Sequence, residues 1–399
     1  MEKLYLNFKN DKELFEFIRH TDISNTPELK DVFEKYTIES IDIDSALQNI
    51  NDDVIILDAR SEKEFETSHF PNAINFPVLK NGERHFVGNL YKNYSQKSAV
   101  WLAIQYASEK YENLKESLTS IPNFESKQIY VYCWRGGGRS KYLSKMILDL
   151  FPEKKVNFIK GGFKSYRHCA LKFFESEIQS YNFIELTGLT GCNKSKLIEL
   201  CSTEIPSINL ELAARHQSSL FGKIPYQIRG FSEVKDQSSF ENNLYNEFLK
   251  CVKPDSNDFP YLIESESRKI GNFVIPPNLY QKISEAKSIL IESTLEERIN
   301  VIKEDYFMYD MRGLPLILKV FTEKSDFFKQ QLSNEIYSEM LEALENENAY
   351  KFIEYMLVKY YDVRYKDKGK KPLLVINRGD LKHRANELIH FFNEYKYAD

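Results

Sequence analysis

Apolar runs in this chain stop abruptly at polar or glycine-bearing segments, and helical spacing resumes after each stop. Val54 to Arg60, VIILDAR, is a continuous apolar run closed by Asp58 and Arg60, which predicts a buried strand that delivers polar groups at its C-terminal end. SEKEFETSHFPNAINFPV follows with a short helical patch, then His69, the Pro71-Asn72 turn signal and a second strand ending near Val78. Residues 95–118 predict a helix, with Ala99, Leu102, Ala103, Tyr106 and Ala107 at helical spacing. IYVYC, at 129–133, is a short β-rich run that ends at WRGGGRS, and KYLSKMILDLF returns to helical spacing. Strand, loop and helix in repetition predict an α/β fold with a parallel sheet.

A second unit of the same kind begins at Asn182, where NFIELTGLTGCNKSKLIELC is an apolar run, a glycine-containing loop and an amphipathic stretch. FPYLIESESRKIG and SILIESTLEERI read as later strands whose C-terminal ends present Glu264, Glu266, Glu292 and Ser293, and helices dominate after Asn300. With 399 residues the chain is too long for one core, because single cores stop growing at about 250 to 300 residues. The expected division is a helical extension over 1–36, one domain over 37–178, and a second over 179–399 with a helical C-terminal part.

Composition narrows the class. Hydrophobic residues make up 42% and charged residues 28%, with 15 Gly and 13 Pro, so disordered and fibrous classes do not fit. A net charge of −5 excludes a globally basic nucleic-acid binder but leaves room for a local basic face. The five cysteines are scattered with no C-x-x-C pair, which disfavours a disulfide framework or a zinc ribbon. MEKLYLNFKNDKELFEF lacks the apolar core of a signal peptide, and no run approaches the ~20 residues that span a bilayer, so a reducing cytoplasmic setting without membrane is expected.

Cys133-Trp134-Arg135-Gly136-Gly137-Gly138-Arg139-Ser140 holds the strongest chemical signal. Successive glycines at a helix start can aim backbone N–H groups at an anion, and a thiolate placed there gains acidity and nucleophilicity. Arg135 and Arg139 are expected to hold an oxyanion by forked hydrogen bonds. Two chemistries share such a loop: a phosphatase cradle, or a sulfurtransferase whose cysteine carries sulfur or selenium. Of the other cysteines, Cys201 and Cys251 read as packing residues.

Gly188-Leu189-Thr190-Gly191-Cys192-Asn193-Lys194-Ser195 lies between the strand NFIEL and the helix KLIEL, the context of a phosphate-binding loop. Lys194 is placed to reach terminal phosphate oxygens, the loop with Gly188 and Gly191 to wrap a diphosphate, and the Ser195 hydroxyl to hold Mg²⁺. Asn193 stands where glycine is usual before the lysine. Asn is the side chain that best tolerates positive φ, so the loop geometry is expected to survive.

Asp58-x-Arg60 with Glu64, and His69-x-Pro71-x-Ala73-x-Asn75-x-Pro77, resemble the signature of rhodanese domains, in which the Asp, Arg and Glu brace the fold. A rhodanese-like domain followed by a P-loop NTPase-like domain resembles the bacterial tRNA 2-selenouridine synthases. The likeness extends over NGERHFVGNLYKNYSQKSA, YCWRGG with Arg139-Ser140, KGGFKSYR, HQSSLFG, FEN at 240–242, IESESRKIG at 263–271 and YYDVRY at 360–365. It implies a cytoplasmic transferase that converts the wobble 2-thiouridine of tRNA to 2-selenouridine. Geranyl diphosphate first alkylates the sulfur, and selenophosphate, or its synthase as partner, then supplies selenium through Cys133.

The resemblance also assigns His216, Ser219, Glu264 and Arg268 to the diphosphate side, with Glu264 a candidate Mg²⁺ ligand or base. Gln217 and Ser218 replace an Arg and a Gly of the family loop, and Arg215 is the neighbouring cation available to compensate. Expected tRNA contacts are Lys154, Lys155, Lys160, Lys164, Arg167 and His168, interleaved with Phe158, Phe163 and Tyr166. A second basic run comprises Lys366, Lys368, Lys370, Lys371, Arg378, Lys382 and Arg384. Two other readings share these features: a sulfurtransferase fused to a nucleotide-dependent kinase, and a tRNA- or diphosphate-binding relative without activity.

Overall fold

The computed structural model describes residues 6–28, 31–34, 36–253, 256, 259–365 and 369–395. The chain divides into two compact units, Met1–Cys169 and Ala170–Asp399, and the division falls inside the helix Gly162–Glu175.

The first unit contains a five-stranded parallel sheet of β1 (Glu39–Ile41), β2 (Val54–Asp58), β3 (Ile74–Asn75), β4 (Gln128–Tyr132) and β5 (Val156–Ile159), in the order β1-β5-β4-β2-β3. Its central strand, β4, is buried over Ile129 to Tyr132, as the unbroken apolar run requires of a strand covered on both faces. The strand expected to end near Val78 is only β3, and the helix expected over 95–118 is two, Gln96–Ser108 and Tyr111–Thr119. Between them Lys110 turns inward, and its ammonium bonds the Val78 carbonyl at 2.8 Å and Glu83 at 2.5 Å.

Residues read as an extension of unknown purpose belong to this unit's core. The helix Asp11–Arg19, capped by the Asn10 side chain, buries Leu14 and Ile18, and Phe8 packs against Phe17 and Phe86 at ring separations of 5.4 and 5.7 Å.

The second unit repeats the logic with β6 (Phe183–Thr187), β7 (Ser207–Ile208), β8 (Tyr261–Glu264), β11 (Lys287–Ile291) and β12 (Leu374–Ile376), all parallel in the order β12-β11-β6-β8-β7; β9 (Lys269–Ile270) and β10 (Phe273–Val274) form a separate antiparallel hairpin. β12 is a late strand that the helical reading of residues after Asn300 omits. The sheet core is closed by the helices Lys194–Cys201 and Leu381–Tyr395, which contribute Leu197, Ile198, Leu388 and Phe392. A distinct helical core gathers Phe221, Phe307, Phe321, Phe328, Phe352 and Leu357. From β6 the chain crosses to β7, returns through β8 and only later adds β11 on the other side, so strand order switches at β6. Loops beyond the C-terminal end of such a strand form a crevice where ligands bind.

Candidate active site

In the first unit the reactive loop starts where β4 ends. Gly136 adopts φ +64°, and a Cβ there would lie 2.4 Å from the Ile159 carbonyl oxygen, so the loop turns against β5 only with glycine at this position. The turn brings Gly137 N–H to 3.2 Å from Cys133 Sγ and Ser140 Oγ to 3.4 Å, at the start of the helix Gly138–Leu150. Cys133 is 4% exposed. Burial alone would push the thiol up, but the Ser140 hydroxyl, the Gly137 amide and the charge of Arg139 outweigh it and hold the thiol below its ordinary value. Ser140→Ala removes the first of these stabilising contacts. The variant's rate of alkylation by iodoacetamide is expected to fall several-fold at pH 7 and to converge with the wild-type rate at high pH, where both sulfurs are ionised. An unshifted pH profile would remove Ser140 from the activation of the thiol.

Arg139 is placed differently from the expectation that it grips an oxyanion. Its guanidinium bonds Glu64 at 2.7 and 3.4 Å, so it acts on the sulfur through its field while bracing the loop to the helix Glu62–Thr67. Glu64 titrates low: burial opposes this, but Arg139 and the Ser61 amide prevail. Asp58 and Arg60 form a buried pair at 2.6 Å, with Arg60 also donating to the Ser68 carbonyl and lying over the Phe163 ring. Arg135 is exposed beside the loop.

Some residues expected to meet tRNA are spent on the fold. Lys154 donates to the Phe124 carbonyl and covers that ring, Lys370 pairs with the buried Glu185 at 2.9 Å, and Arg384 bonds Ser293 at 2.6 Å. Phe163 and Tyr166 are buried and offer no stacking face. Trp134, 42% exposed and adjacent to Cys133, is the accessible ring instead. Lys366 and Lys368 lie outside the described residues.

In the second unit the loop after β6 wraps a crevice. Gly188 has φ +147°, and a Cβ would lie 2.5 Å from the Ile291 carbonyl oxygen, which forces glycine where the loop passes β11. Gly191 also has a positive φ of +87°. Asn193 takes φ +62° and caps the helix Lys194–Cys201, so the departure from glycine keeps the left-handed turn that the loop needs. Lys194 folds back onto the carbonyls of Gly188 and Leu189 at 2.9 and 3.3 Å. The crevice has a volume of ≈ 550 Å³, with Lys194, Ser195, Glu211, Arg229, Glu266 and Tyr365 on its walls.

Three carboxylates gather at Ser195. Its hydroxyl donates to Glu211 Oε2 at 2.6 Å, and Glu264, 1% exposed, accepts from the amides of Leu210 and Glu211 at 2.6 and 3.1 Å. Glu264 Oε1 has no hydrogen-bond partner. Burial raises all three, Glu211, Glu264 and Glu266; the charge of Asp305 adds to it at Glu211, those of Glu211 and Glu266 at Glu264, and that of Glu211 at Glu266, which is pushed up to about 7.

The remaining expected residues divide. Ser219 stands on the crevice wall with its hydroxyl bonded to Tyr306 at 2.8 Å, whereas His216 is buried with its ring against Gly222 and Gly271, off the wall. Arg268 is exposed beyond β8 and does not line the crevice. Arg215 does not replace the missing Arg either: its guanidinium bonds the Ser232 carbonyl at 2.6 Å and lies over Phe231. The arginine on the wall is Arg229, tied to Asp305 at 2.6 Å, while the Gln217 amide donates to the same carboxylate at 3.4 Å. Arg229, Asp305 and Glu211 escape the sequence reading because no motif marks them; only the packing brings them to the loop.

Comparison with known proteins adds independent findings. Residues 181–394 match a family profile described as the tRNA 2-selenouridine synthase AAA domain, and residues 42–169 match the rhodanese-like domain. A tRNA 2-selenouridine synthase of Marinobacter nauticus is 30% identical over 351 residues, covering 81% of this chain and 90% of the relative. One from Shewanella denitrificans is 26% identical over 347 residues, covering 82% and 91%. Among solved structures, the N-terminal domain of a putative ATP/GTP binding protein from Clostridium difficile is 33% identical; the match covers 33% of this chain and 99% of that one, with a TM-score of 0.30.

Proposed function

The chain belongs to the tRNA 2-selenouridine synthase family, and from that premise we propose that it exchanges the sulfur of a tRNA wobble 2-thiouridine for selenium by way of an S-geranyl intermediate. The observation that carries this reading is the pairing, in one chain, of a buried thiol held below its ordinary value by Ser140 and the Gly137 amide with a lysine-bearing glycine loop at a helix start. The two loops suit the two halves of the exchange. In the first half the thiocarbonyl sulfur attacks the allylic carbon of geranyl diphosphate, the carbon–oxygen bond breaks, and diphosphate departs with the bonding pair. Lys194, the loop amides and Arg229 offer the positive charge that the leaving group needs as that charge develops. In the second half the selenium of selenophosphate attacks C2 of the alkylated base, the carbon–sulfur bond breaks with geranylthiol as the leaving group, and water cleaves the selenium–phosphorus bond to release phosphate. Selenium stays at the selenide level throughout, and Cys133 is the group that handles it. Alkylation precedes because an alkylthio substituent leaves more readily than a thiocarbonyl sulfur.

The carboxylates fit a divalent cation. Glu264 Oε1 is an orphaned buried acceptor, and Ser195, Glu211 and Glu266 stand with it below the loop. Among the described residues no three His, Cys, Asp or Glu side chains form a metal cluster by themselves, and a Mg²⁺ held here would take water and phosphate oxygens to complete its shell. Ser195 with Glu211 or Glu264 would hold it, and it would neutralise charge on the diphosphate.

Exposed Trp134 and Arg135 beside Cys133 support tRNA as the partner, by stacking and phosphate contact. Among the described residues no helix is long and apolar enough to cross a membrane. Incubating the protein with 2-thiouridine-bearing tRNA, geranyl diphosphate and selenophosphate, followed by mass spectrometry of the nucleosides, tests the reading. S-geranyl-2-thiouridine is expected without selenophosphate and 2-selenouridine with it; ATP turnover with unchanged tRNA would replace this function with a kinase.

A further inference from the structure

A second cavity adjoins the Lys194 loop. Phe221, Ile317, Phe352, Ile353 and Met356 form its depth, and Thr190, Ser219, Ile302 and Tyr306 line both it and the crevice, so the two spaces share a wall. Thr190 belongs to the phosphate loop itself.

Its surface is almost wholly carbon. Polar groups occur only near the shared wall, where the Ser219 and Tyr306 hydroxyls bond each other at 2.8 Å and the Tyr361 hydroxyl is buried without a hydrogen bond. A nucleobase buried in this cavity would leave several ring nitrogens and carbonyls unpaired, at a cost no wall residue offsets. A hydrocarbon chain loses nothing there. The backbone is also unusual at this place: two π-helical turns, Lys303–Phe307 and Met356–Tyr361, supply Tyr306, Phe307, Met356 and Tyr361 to the lining. Such wide turns are rare and occur mostly at functional sites.

We propose that this cavity takes the apolar tail of a diphosphate ester whose head lies on the Lys194 loop. The proposal rests on the alkyl-diphosphate reading above and assigns the tail a place. The open space is ≈ 40 Å³, so the far end of a chain enters by displacing a neighbour, and Met356, unbranched with three rotatable bonds, is the side chain able to yield. The near part of the chain runs past Ile302 and Tyr306 in the crevice.

Calorimetric titration of the full chain with inorganic diphosphate, geranyl diphosphate and the fifteen-carbon farnesyl diphosphate tests it. Each buried methylene contributes about fourfold in affinity, so the wild type is expected to bind the geranyl ester at least tenfold more tightly than inorganic diphosphate. Met356→Ala deepens the cavity and is expected to raise the ratio of farnesyl to geranyl affinity about tenfold. Ile353→Phe fills it and is expected to reduce the geranyl advantage over inorganic diphosphate to about threefold or less. Unchanged affinity for inorganic diphosphate in both variants reports an intact loop and fold. If the wild type favours the geranyl ester but neither variant shifts a ratio, the tail lies elsewhere and the alkyl-diphosphate reading stands. Equal binding of all three ligands by the wild type overturns both.

Discussion

Lys194→Ala is expected to lower formation of S-geranyl-2-thiouridine by about 100- to 1,000-fold in kcat/KM. A preorganised cation beside a departing anion stabilises charge that is greater in the transition state than in the bound ester, and removing one such donor typically costs about this much. The fold should tolerate the change. Among the described residues Lys194 bonds the carbonyls of Gly188 and Leu189 in its own loop, and it lies at the start of a helix whose first-turn geometry alanine also adopts. The melting temperature should therefore move by a few degrees at most while the rate collapses. A rate within threefold of wild type, measured by quantifying the geranylated nucleoside over time, would take Lys194 out of the reaction. Lys196 and Arg229 also stand on this wall, but both pair with Asp305, at 3.2 and 2.6 Å, which neutralises part of their charge, so neither stands in fully for Lys194.

Cys133→Ser is expected to abolish 2-selenouridine while geranylation continues, so that S-geranyl-2-thiouridine accumulates. Serine is nearly isosteric, and the hydrogen bond from Gly137 N–H and the contact with Ser140 Oγ can re-form to its oxygen. What is lost is a soft, ionisable sulfur. The wild-type loop holds the thiol below its ordinary value, whereas a serine hydroxyl stays protonated throughout the working pH range and has no affinity for selenium. The loss should exceed 1,000-fold and should appear only when selenophosphate is supplied. Full selenation by the variant would remove the thiol from the mechanism. Loss of geranylation together with selenation would mean that the two halves of the exchange are not divided between the two loops.

Much of both loops is legible along the chain because their geometry is set within a few residues. An apolar strand that stops at Gly-rich sequence before a helix dictates a turn with left-handed positions. Gly136, Gly188 and Asn193 take them at φ +64°, +147° and +62°. The Asp58–Arg60 pair is equally local, since only Ala59 separates the partners and both lie at the mouth of β2. By contrast, the helix expected over 95–118 breaks where Lys110 finds Glu83 and the Val78 carbonyl, and nothing in the helical period announces that contact.

Sequence alone determined where each loop lies, which residue in it is a thiol and which a lysine, and that both stand at C-terminal ends of parallel strands. Those facts follow from backbone sterics and from the burial of short apolar runs, which act over single elements. Tertiary structure decided which long side chains face a ligand. Arg139 is drawn to Glu64 across 75 positions and Arg215 to Ser232 across 17, while Arg229 and Asp305 meet across 76 positions at the crevice. It also decided that Glu211, sixteen positions after Ser195, closes on its hydroxyl, and that an apolar cavity built from residues 221 to 356 reaches the phosphate loop at Thr190. Burying a charge or an apolar face requires a partner, and the chain's path through space, not its order, settles which partner is near.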